Sequence, residues 1–393
     1  MIQQVRVRNF KTLNEVSLEL GQRNVIVGPN MSGKTNFISL FKFLNRMVVP
    51  APGVHGLSNA VSSLGGFPEI AWRGGASNLI SIALSGDFRG IEENGDKTSW
   101  EYLLEIVSDG RGLVTVQDED LKITAPAGLY SVIRKDKSSG RRVLVSRERG
   151  AISEVDERGR SALEFEIPGW EGNKLRNFFA SLRFYNFVPQ LMKQINTAAA
   201  PPVLDEGGGN LSAWLLMLQT RFQEEFRKIN AAVKDVLPDV ASIYTFPTQQ
   251  ATVFVASGEK HFKSPVPVWQ MSDGELCFIA WLSLIYSPPE LTAPVYFVEE
   301  PENHLHPRLV DALIGLLDQA QTGAGANAAQ LVATTHSLEV VDKTRLGDLI
   351  VFERRDGQTV CTRPREKTHL RELIAREEVG LGDLYYSGAL GND

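Results

Sequence analysis

The sequence predicts a mixed α/β protein built around a parallel core sheet, and three observations predict it. An apolar run at 24–27 enters a glycine-rich octapeptide that opens directly into a helical stripe. A second apolar run at 294–298 ends in two adjacent carboxylates, Glu299 and Glu300. After about residue 268, strand-like and helix-like segments alternate, the pattern of a parallel sheet with crossover helices.

Taken in order, 2–10 alternates in part through Val5, Val7 and Phe10, and 16–20 alternates through Val16, Leu18 and Leu20, so both read as strands. From Gly33 the period changes to that of a helix. Phe37, Ile38, Leu40, Phe41, Phe43, Leu44 and Met47 form a broad apolar stripe. Residues 49–76 are rich in Gly, Pro and Ser and read as loop. From 77 to about 168 the chain reads mostly as strands, at 79–84, 100–107, 112–116, 121–125, 143–146 and 163–167, separated by turn-forming clusters. Residues 172–240 read as mainly helical, with a flexible break at 198–210 and one long amphipathic helix over 211–236. Strands return at 242–256. Past the alternating core, a hairpin around Asp356-Gly357 and a short helix end the chain. There is no solenoid repeat and no sustained heptad run.

The 393 residues are 43% hydrophobic and 22% charged, which permits a large core and excludes wholesale disorder. A formal charge of −6 excludes a generally basic surface but leaves room for a local basic patch. Two cysteines, Cys277 and Cys361, cannot build a disulfide framework or a four-thiolate zinc site and read as small buried hydrophobes. The N-terminus lacks an apolar signal core. The longest apolar run, 276–286, falls well short of the roughly 18 residues of a membrane span and is interrupted by Ser283. The expectation is a cytoplasmic protein with no membrane partner.

Residues 28–35 read Gly-Pro-Asn-Met-Ser-Gly-Lys-Thr, a P-loop. Backbone N–H groups of such a loop and of the following helix N-terminus surround an anionic phosphate. Gly28, Asn30, Ser32, Gly33, Lys34, Thr35 and Asn36 are the candidate nucleotide-binding residues. Lys34 reaches the outer phosphates, and the Thr35 hydroxyl is a candidate Mg²⁺ ligand. Met31 stands where residues tolerant of positive φ are usual, which implies either a small strain or a different loop path. In a P-loop protein a strand ending in two acids supplies a metal ligand, here Glu299, and a general base for water, here Glu300. Ser272 and Gly274, in Met-Ser-Asp-Gly-Glu, open an apolar helix. They read either as a second anion-binding helix end or as simple N-capping. His336 ends the apolar run of 329–337, at the sheet edge where α/β proteins bind ligands; a structural histidine is the plain alternative.

The order of these four motifs resembles the ABC-type ATPases of the SMC and RecF group, and the opening Arg-Asn-Phe-Lys at 8–11 looks like theirs. The nearer resemblance is to the AAA_21 ATPases, relatives of the OLD-family heads. It is carried by Ser-Asp-Gly-Glu-Leu at 272–276, by Glu-Glu-Pro-Glu-Asn-His-Leu-His-Pro at 299–307, and by the ending at 381–390. The resemblance implies a single ABC-type head with a β-rich antiparallel lobe and a helical lobe. Its sub-regions would be a P-loop lobe at 1–76, a β-rich insertion at 77–168, a helical lobe at 169–264, the motif core at 265–350 and a C-terminal hairpin and helix at 351–393. It implies a homodimer with ATP and Mg²⁺ sandwiched between the P-loop of one copy and Ser272/Gly274 of the other. Glu300 would activate water, with Lys34 and His336 completing the catalytic set, and 303–306 would form the loop crossing between sites. His304 and His306 belong to that loop rather than to a metal pair. Two departures stand out. Glu299 replaces the usual Asp, and the Mg²⁺-sensing glutamine is identifiable only as Gln190.

More than 200 residues separate Thr35 from Ser272, yet they show strands and short helices, not coiled-coil arms. Only 57 residues follow His336, too few for the Toprim nuclease domain of OLD proteins. The expectation is an ATPase that regulates a separately encoded effector, a nuclease of a bacterial anti-phage module. The alternative is a RecF-like ATPase that binds DNA in repair or replication. For the latter, the basic cluster of Arg134, Lys135, Lys137, Arg141, Arg142, Arg147 and Arg149 is the candidate contact, with Arg134, Lys135, Arg141 and Arg142 at its centre; a solvated hairpin is the plain alternative.

Overall fold

A computed structural model describes the chain except for residues 76, 89–97, 127, 137–139, 156, 202, 326–327, 365–379, 387–389 and 391–393. Lys137 and part of the ending at 381–390 therefore lie outside the described residues. The chain divides into two compact units. The first takes Met1–Leu182, Gln330–Leu338 and Thr344–Asp393; the second takes Arg183–Ala329 and Glu339–Lys343.

The first unit holds two sheets. Its parallel sheet runs in the order Gln330–Thr335, Arg23–Val27, Leu349–Arg355, and Gln358–Thr362 closes it as an antiparallel hairpin partner. That hairpin turns at Asp356 and Gly357, both at positive φ, as an Asp-Gly hairpin requires. The second sheet is an antiparallel array of eight strands. Its order is Leu13–Glu19, Ile2–Phe10, Leu79–Asp87, Ser99–Ser108, Val114–Ala125, Gly128–Lys135, Arg142–Ser146 and Gly150–Val155. The buried residues along Leu79–Asp87 and Ser99–Ser108 alternate, so each strand turns one face to the core.

Helix Lys34–Val48 packs its apolar stripe on the parallel sheet. Phe37, Phe41, Phe43 and Leu44 are fully buried, and Phe37 meets Phe352 edge to face at 5.6 Å. Each buried Phe removes enough apolar surface to stabilise the fold by roughly 2–3 kcal/mol. Beneath the sheet, three buried polar side chains tie the elements together. The Gln330 amide accepts from the Ile2 N–H at 2.8 Å and donates to the Ile2 carbonyl at 2.7 Å, joining the two sheets. Asn24 accepts from Gly21 N–H and donates to Gly21 and Leu331 carbonyls. Arg363 donates to Asn24 Oδ1 at 3.0 Å and to the Glu19 and Gly347 carbonyls.

In the first unit, three elements differ from the sequence expectation. Residues 49–76 carry two short helices, Gly56–Ser62 and Phe67–Ile70. The expected strand at 163–167 is a 3-10 turn, Ala162–Glu164, held by a reciprocal capping box between Ser161 and Glu164. The expected single strands at 112–116 and 121–125 are one strand, Val114–Ala125.

The basic cluster also needs a correction. Arg142 is buried and pairs at 2.6 Å with the fully buried Glu119. Glu119 further accepts from Tyr102 Oη, Ser161 Oγ and Ala162 N–H, at 2.6–2.9 Å, and Arg142 donates to the Glu157 carbonyl. Burial, together with the Glu119 carboxylate, pushes the Tyr102 phenol well above its ordinary range. Arg142 is thus a core residue and cannot meet a phosphate on the surface. Arg141 pairs with Glu154 at 3.1 Å, Lys135 donates to the Gln117 carbonyl, and Arg134 is exposed.

The second unit contains a short parallel pair, Arg183–Tyr185 and Val295–Glu299, and a small antiparallel sheet in the order Asn196–Thr197, Thr252–Glu259, Val240–Pro247. The expected long helix over 211–236 is two helices, Leu211–Arg221 and Gln223–Val236, broken at Phe222 where φ is −130° and ψ is 60°. Ser283, the polar interruption of the apolar run, accepts from the buried Trp214 indole at 3.0 Å and donates to the Ala280 carbonyl. Among the described residues, no helix is long and apolar enough to cross a membrane.

Arg142→Ala leaves the Glu119 carboxylate buried and unpaired, so it is expected to cost about 3–5 kcal/mol in denaturant unfolding. Arg141→Ala, at an exposed pair, is expected to cost no more than about 1 kcal/mol in the same measurement.

Candidate nucleotide site

In the first unit, strand Arg23–Val27 delivers the chain to Gly28 with a parallel neighbour on each side. Thr335 pairs with Val27 on one side and Val351 on the other. No side chain fits at Gly28: a Cβ there would lie 2.2 Å from the Phe352 carbonyl and 2.7 Å from Ser32 Oγ. Met31 is 75% exposed with φ 66°, and Gly33 has φ 105°. The loop therefore takes the left-handed path, and Met31 carries the strain, about 1–2 kcal/mol for a side chain in that region.

Gly33 caps helix Lys34–Val48 with no side-chain hydrogen bond, and the first turn holds no acid. The helix end is thus left to an external anion. Ser32 Oγ is buried and has no hydrogen-bond partner. Lys34 Nζ lies along the loop and donates to the Gly28 and Pro29 carbonyls at 2.7 and 3.1 Å. Asn30 and Thr35 are exposed. Asn36 differs from its expected role, because its side-chain amide donates to Thr12 Oγ1 at 2.7 Å. His336 follows Thr335 directly, so the register places its backbone beside Gly28 at the sheet edge, and its side chain is exposed.

In the second unit, strand Val295–Glu299 ends at half-buried Glu299, and Glu300 stands at φ 47°, a left-handed conformation for a non-glycine residue. Asn303 holds it there by donating from Nδ2 to Glu300 Oε2 at 2.8 Å and from its N–H to the Glu300 carbonyl. Ser272 caps helix Asp273–Ile285 in a capping box with Glu275, and Asp273 pairs with Lys193 at 2.6 Å. The N-capping reading of Ser272 thus describes its side chain, which is exposed. Gly274 abuts the next motif: a Cβ there would lie 2.9 Å from the carbonyl of His304, itself at φ 68°. The His306 ring accepts from the Arg308 N–H and caps helix Pro307–Ala324. Gln190 is exposed in the helical turn Pro189–Met192, just past the strand that pairs with Val295–Glu299.

The family model described as "AAA domain, putative AbiEii toxin, Type IV TA system", AAA_21, matches residues 23–342. The chain belongs to the AAA_21 family. The match spans the P-loop, helix Asp273–Ile285 and the acids Glu299 and Glu300. No curated protein sequence matches this AAA_21 chain. Its fold is that of an SMC head. It resembles a crystal structure of an Smc head bound to the C-winged helix domain of ScpA, with a TM-score of 0.54 and 14% identity over 93% of this chain and 99% of that one. It also resembles the Smc head domain with an extended coiled coil bound to the C-terminal domain of ScpA derived from Pyrococcus furiosus, with a TM-score of 0.54 and 12% identity over 95% and 99%.

The P-loop of this AAA_21 chain fits a nucleotide phosphate on its own geometry. An orphaned buried hydroxyl, an uncapped helix end and two glycines that cannot accept a Cβ surround one cradle. Two residues that sequence reasoning missed support it, Thr12 and Thr359. Thr359 Oγ1 donates to the Ser32 carbonyl at 2.8 Å and lies 2.0 Å from where a Gly33 Cβ would be. The two threonines are 347 residues apart, and neither belongs to a motif.

Gly33→Ala is expected to abolish nucleotide binding. The new Cβ would collide with Thr359 Oγ1, and Ala would be forced to φ 105°. Titration with a fluorescent ATP analogue checks this, and a circular dichroism spectrum like that of the wild type confirms that the fold survives.

Proposed function

We propose that this AAA_21 protein is an ATP-hydrolysing head that dimerises around ATP and Mg²⁺ and regulates a separately encoded effector, a nuclease in bacterial anti-phage defence. The observation that carries the ATPase reading is the phosphate cradle at 28–35, with its orphaned Ser32 hydroxyl and uncapped helix.

The loop N–H groups and Lys34 hold the outer phosphates. Lys34 exchanges its two carbonyl partners for phosphate oxygens as nucleotide enters. Thr35 and Glu299 would hold Mg²⁺, which when bound neutralises charge on those oxygens. Glu300 takes a proton from the attacking water. Its Oε2 is held by the Asn303 amide, and the left-handed backbone at Glu300 sets the direction in which its side chain leaves the chain. His336 steadies the γ-phosphate from the sheet edge, and Gln190 senses the metal. Ser272 and Gly274 grip the nucleotide of the second copy through the N-terminus of helix Asp273–Ile285.

The effector arm rests on two supports. The family description names a toxin of a type IV toxin–antitoxin system, which hints at a defence setting for this family. The Smc heads of the same fold are bound to a ScpA domain, a separate chain, and a partner chain on this head would be the counterpart. The DNA-binding alternative has lost Arg142 from its basic cluster to the core.

Glu300→Gln is expected to bind ATP, turn over at least about 100-fold more slowly and accumulate a dimer in ATP and Mg²⁺. Lys34→Ala is expected to bind no ATP. Phosphate release and light scattering check both. A pull-down of tagged Glu300→Gln from its native host, in ATP and Mg²⁺, is expected to recover a nuclease. Recovery of nucleic acid with no protein partner would overturn the effector arm in favour of the DNA-binding reading.

A further inference from the structure

Thr359 sits on the antiparallel strand Gln358–Thr362, outside every motif that defines the site. Its hydroxyl ends a hydrogen-bond relay whose direction is fixed by proton counting. A hydroxyl has one proton to give. Thr359 Oγ1 gives its proton to the Ser32 carbonyl at 2.8 Å, in a buried bond. The 2.8 Å contact between the two threonine hydroxyls must then be donated by Thr12. Thr12, its proton spent, accepts from Asn36 Nδ2 at 2.7 Å. The relay therefore runs one way, from Asn36 through Thr12 and Thr359 to the Ser32 carbonyl, and each member polarises the next. The backbone fixes its middle, because the Thr359 N–H also donates to the Thr12 carbonyl at 2.8 Å.

What the relay holds is one peptide plane. The Ser32 carbonyl and the Gly33 N–H belong to the same trans peptide and point in opposite directions. Clamping the oxygen toward Thr359 aims the N–H the opposite way, away from Thr359. Among the described residues no acceptor takes the Gly33 N–H. With φ at 105° on a glycine, the plane is free to turn unless something holds it.

We propose that Thr359 is a positioning residue of the nucleotide site. With Thr12 and Asn36 behind it, it aims the Gly33 N–H at a bound phosphate. The inference rests on the reading of 28–35 as a phosphate cradle. It makes the C-terminal hairpin part of the binding apparatus, although that hairpin contributes nothing to any motif. Loss of the hydroxyl releases the peptide plane and weakens the grip on phosphate before chemistry begins, so the loss falls on affinity and not on turnover of the bound nucleotide.

The test is calorimetric titration of the full chain with Mg-ATP, alongside steady-state kinetics. Thr359→Val keeps the shape and removes the donor. It is expected to raise the Kd about tenfold, the equivalent of one aligned hydrogen bond to a charged group, with kcat at saturating ATP within about twofold of wild type. Thr359→Ser keeps the donor and is expected to bind within about twofold of wild type. An unchanged Kd for Thr359→Val, or a Thr359→Ser as weak as Thr359→Val, would overturn the role of the hydroxyl. If Thr359→Val does not fold, Thr12→Val reads the relay one step further back, with an expected rise in Kd of about two- to threefold; no rise there overturns it equally. Failure of the wild type to bind Mg-ATP would sink both the cradle reading and this inference. Wild-type binding that is lost in Lys34→Ala but kept in Thr359→Val would sink the inference alone.

Discussion

A loop that holds an anion through its backbone must keep its N–H groups unpaired while nothing is bound, and most of the first unit answers that constraint. An unsatisfied buried donor costs roughly 1–3 kcal/mol, so a loop left to itself would fold its own donors inward. One loop donor does turn inward, the Ser32 N–H to the Pro29 carbonyl at 3.2 Å, and the surroundings keep the Gly33 N–H from doing the same. Parallel strands flank the loop entry, and the Phe352 carbonyl closes on Gly28 so tightly that only a hydrogen fits. Phe37 packs on Phe352 from the helix that leaves the loop. Thr359 fixes the Ser32 peptide from the far side. Asn24, Gln330 and Arg363 then lock the strands in register from below, through carbonyls that would otherwise be orphaned.

The second unit uses backbone strain instead of clamping. Glu300 and His304 lie four residues apart, both in the left-handed region that side chains avoid. Each holds one end of a tight turn that carries the Asn303 contact to Glu300 and whose His304 carbonyl would meet any Cβ at Gly274. A substitution at Gly274 therefore disturbs more than a helix cap. It pushes on His304, and through a turn of four residues on the carboxylate assigned to water activation.

How much of this was legible depended on whether the signal was contiguous. The P-loop octapeptide, the strand ending in Glu299-Glu300, the Asp356-Gly357 hairpin and the odd placement of Met31 were all readable, because each is a local rule about φ, charge or period. The capping box of Ser161 and Glu164 was equally local, and its three-residue spacing was a signal for the turn that replaced the expected strand. The break at Phe222 left no such mark, since no glycine or proline interrupts the helical pattern over 211–236. Thr12 and Thr359 had no signal at all. Hydroxyls are common, and only the folded chain shows that these two meet. The family match over residues 23–342 bears out the resemblance that the order of the motifs carried.

Arg142 shows why charge counting misleads most at a basic hairpin. Seven basic residues within sixteen positions look like an electrostatic footprint. Yet a guanidinium whose partner is a fully buried carboxylate contributes no field to solvent, and Arg141 has its charge balanced by Glu154. Arg147 lies over the Tyr130 ring at 5.7 Å. Affinity for a duplex grows with the number of phosphates neutralised, because each contact releases counterions. A hairpin that uses part of its charge to hold its own strands together therefore has less to offer DNA than its composition suggests. That shifts the weight of the proposed function away from nucleic acid and toward a partner protein, whose recognition does not depend on a reserve of unbalanced charge.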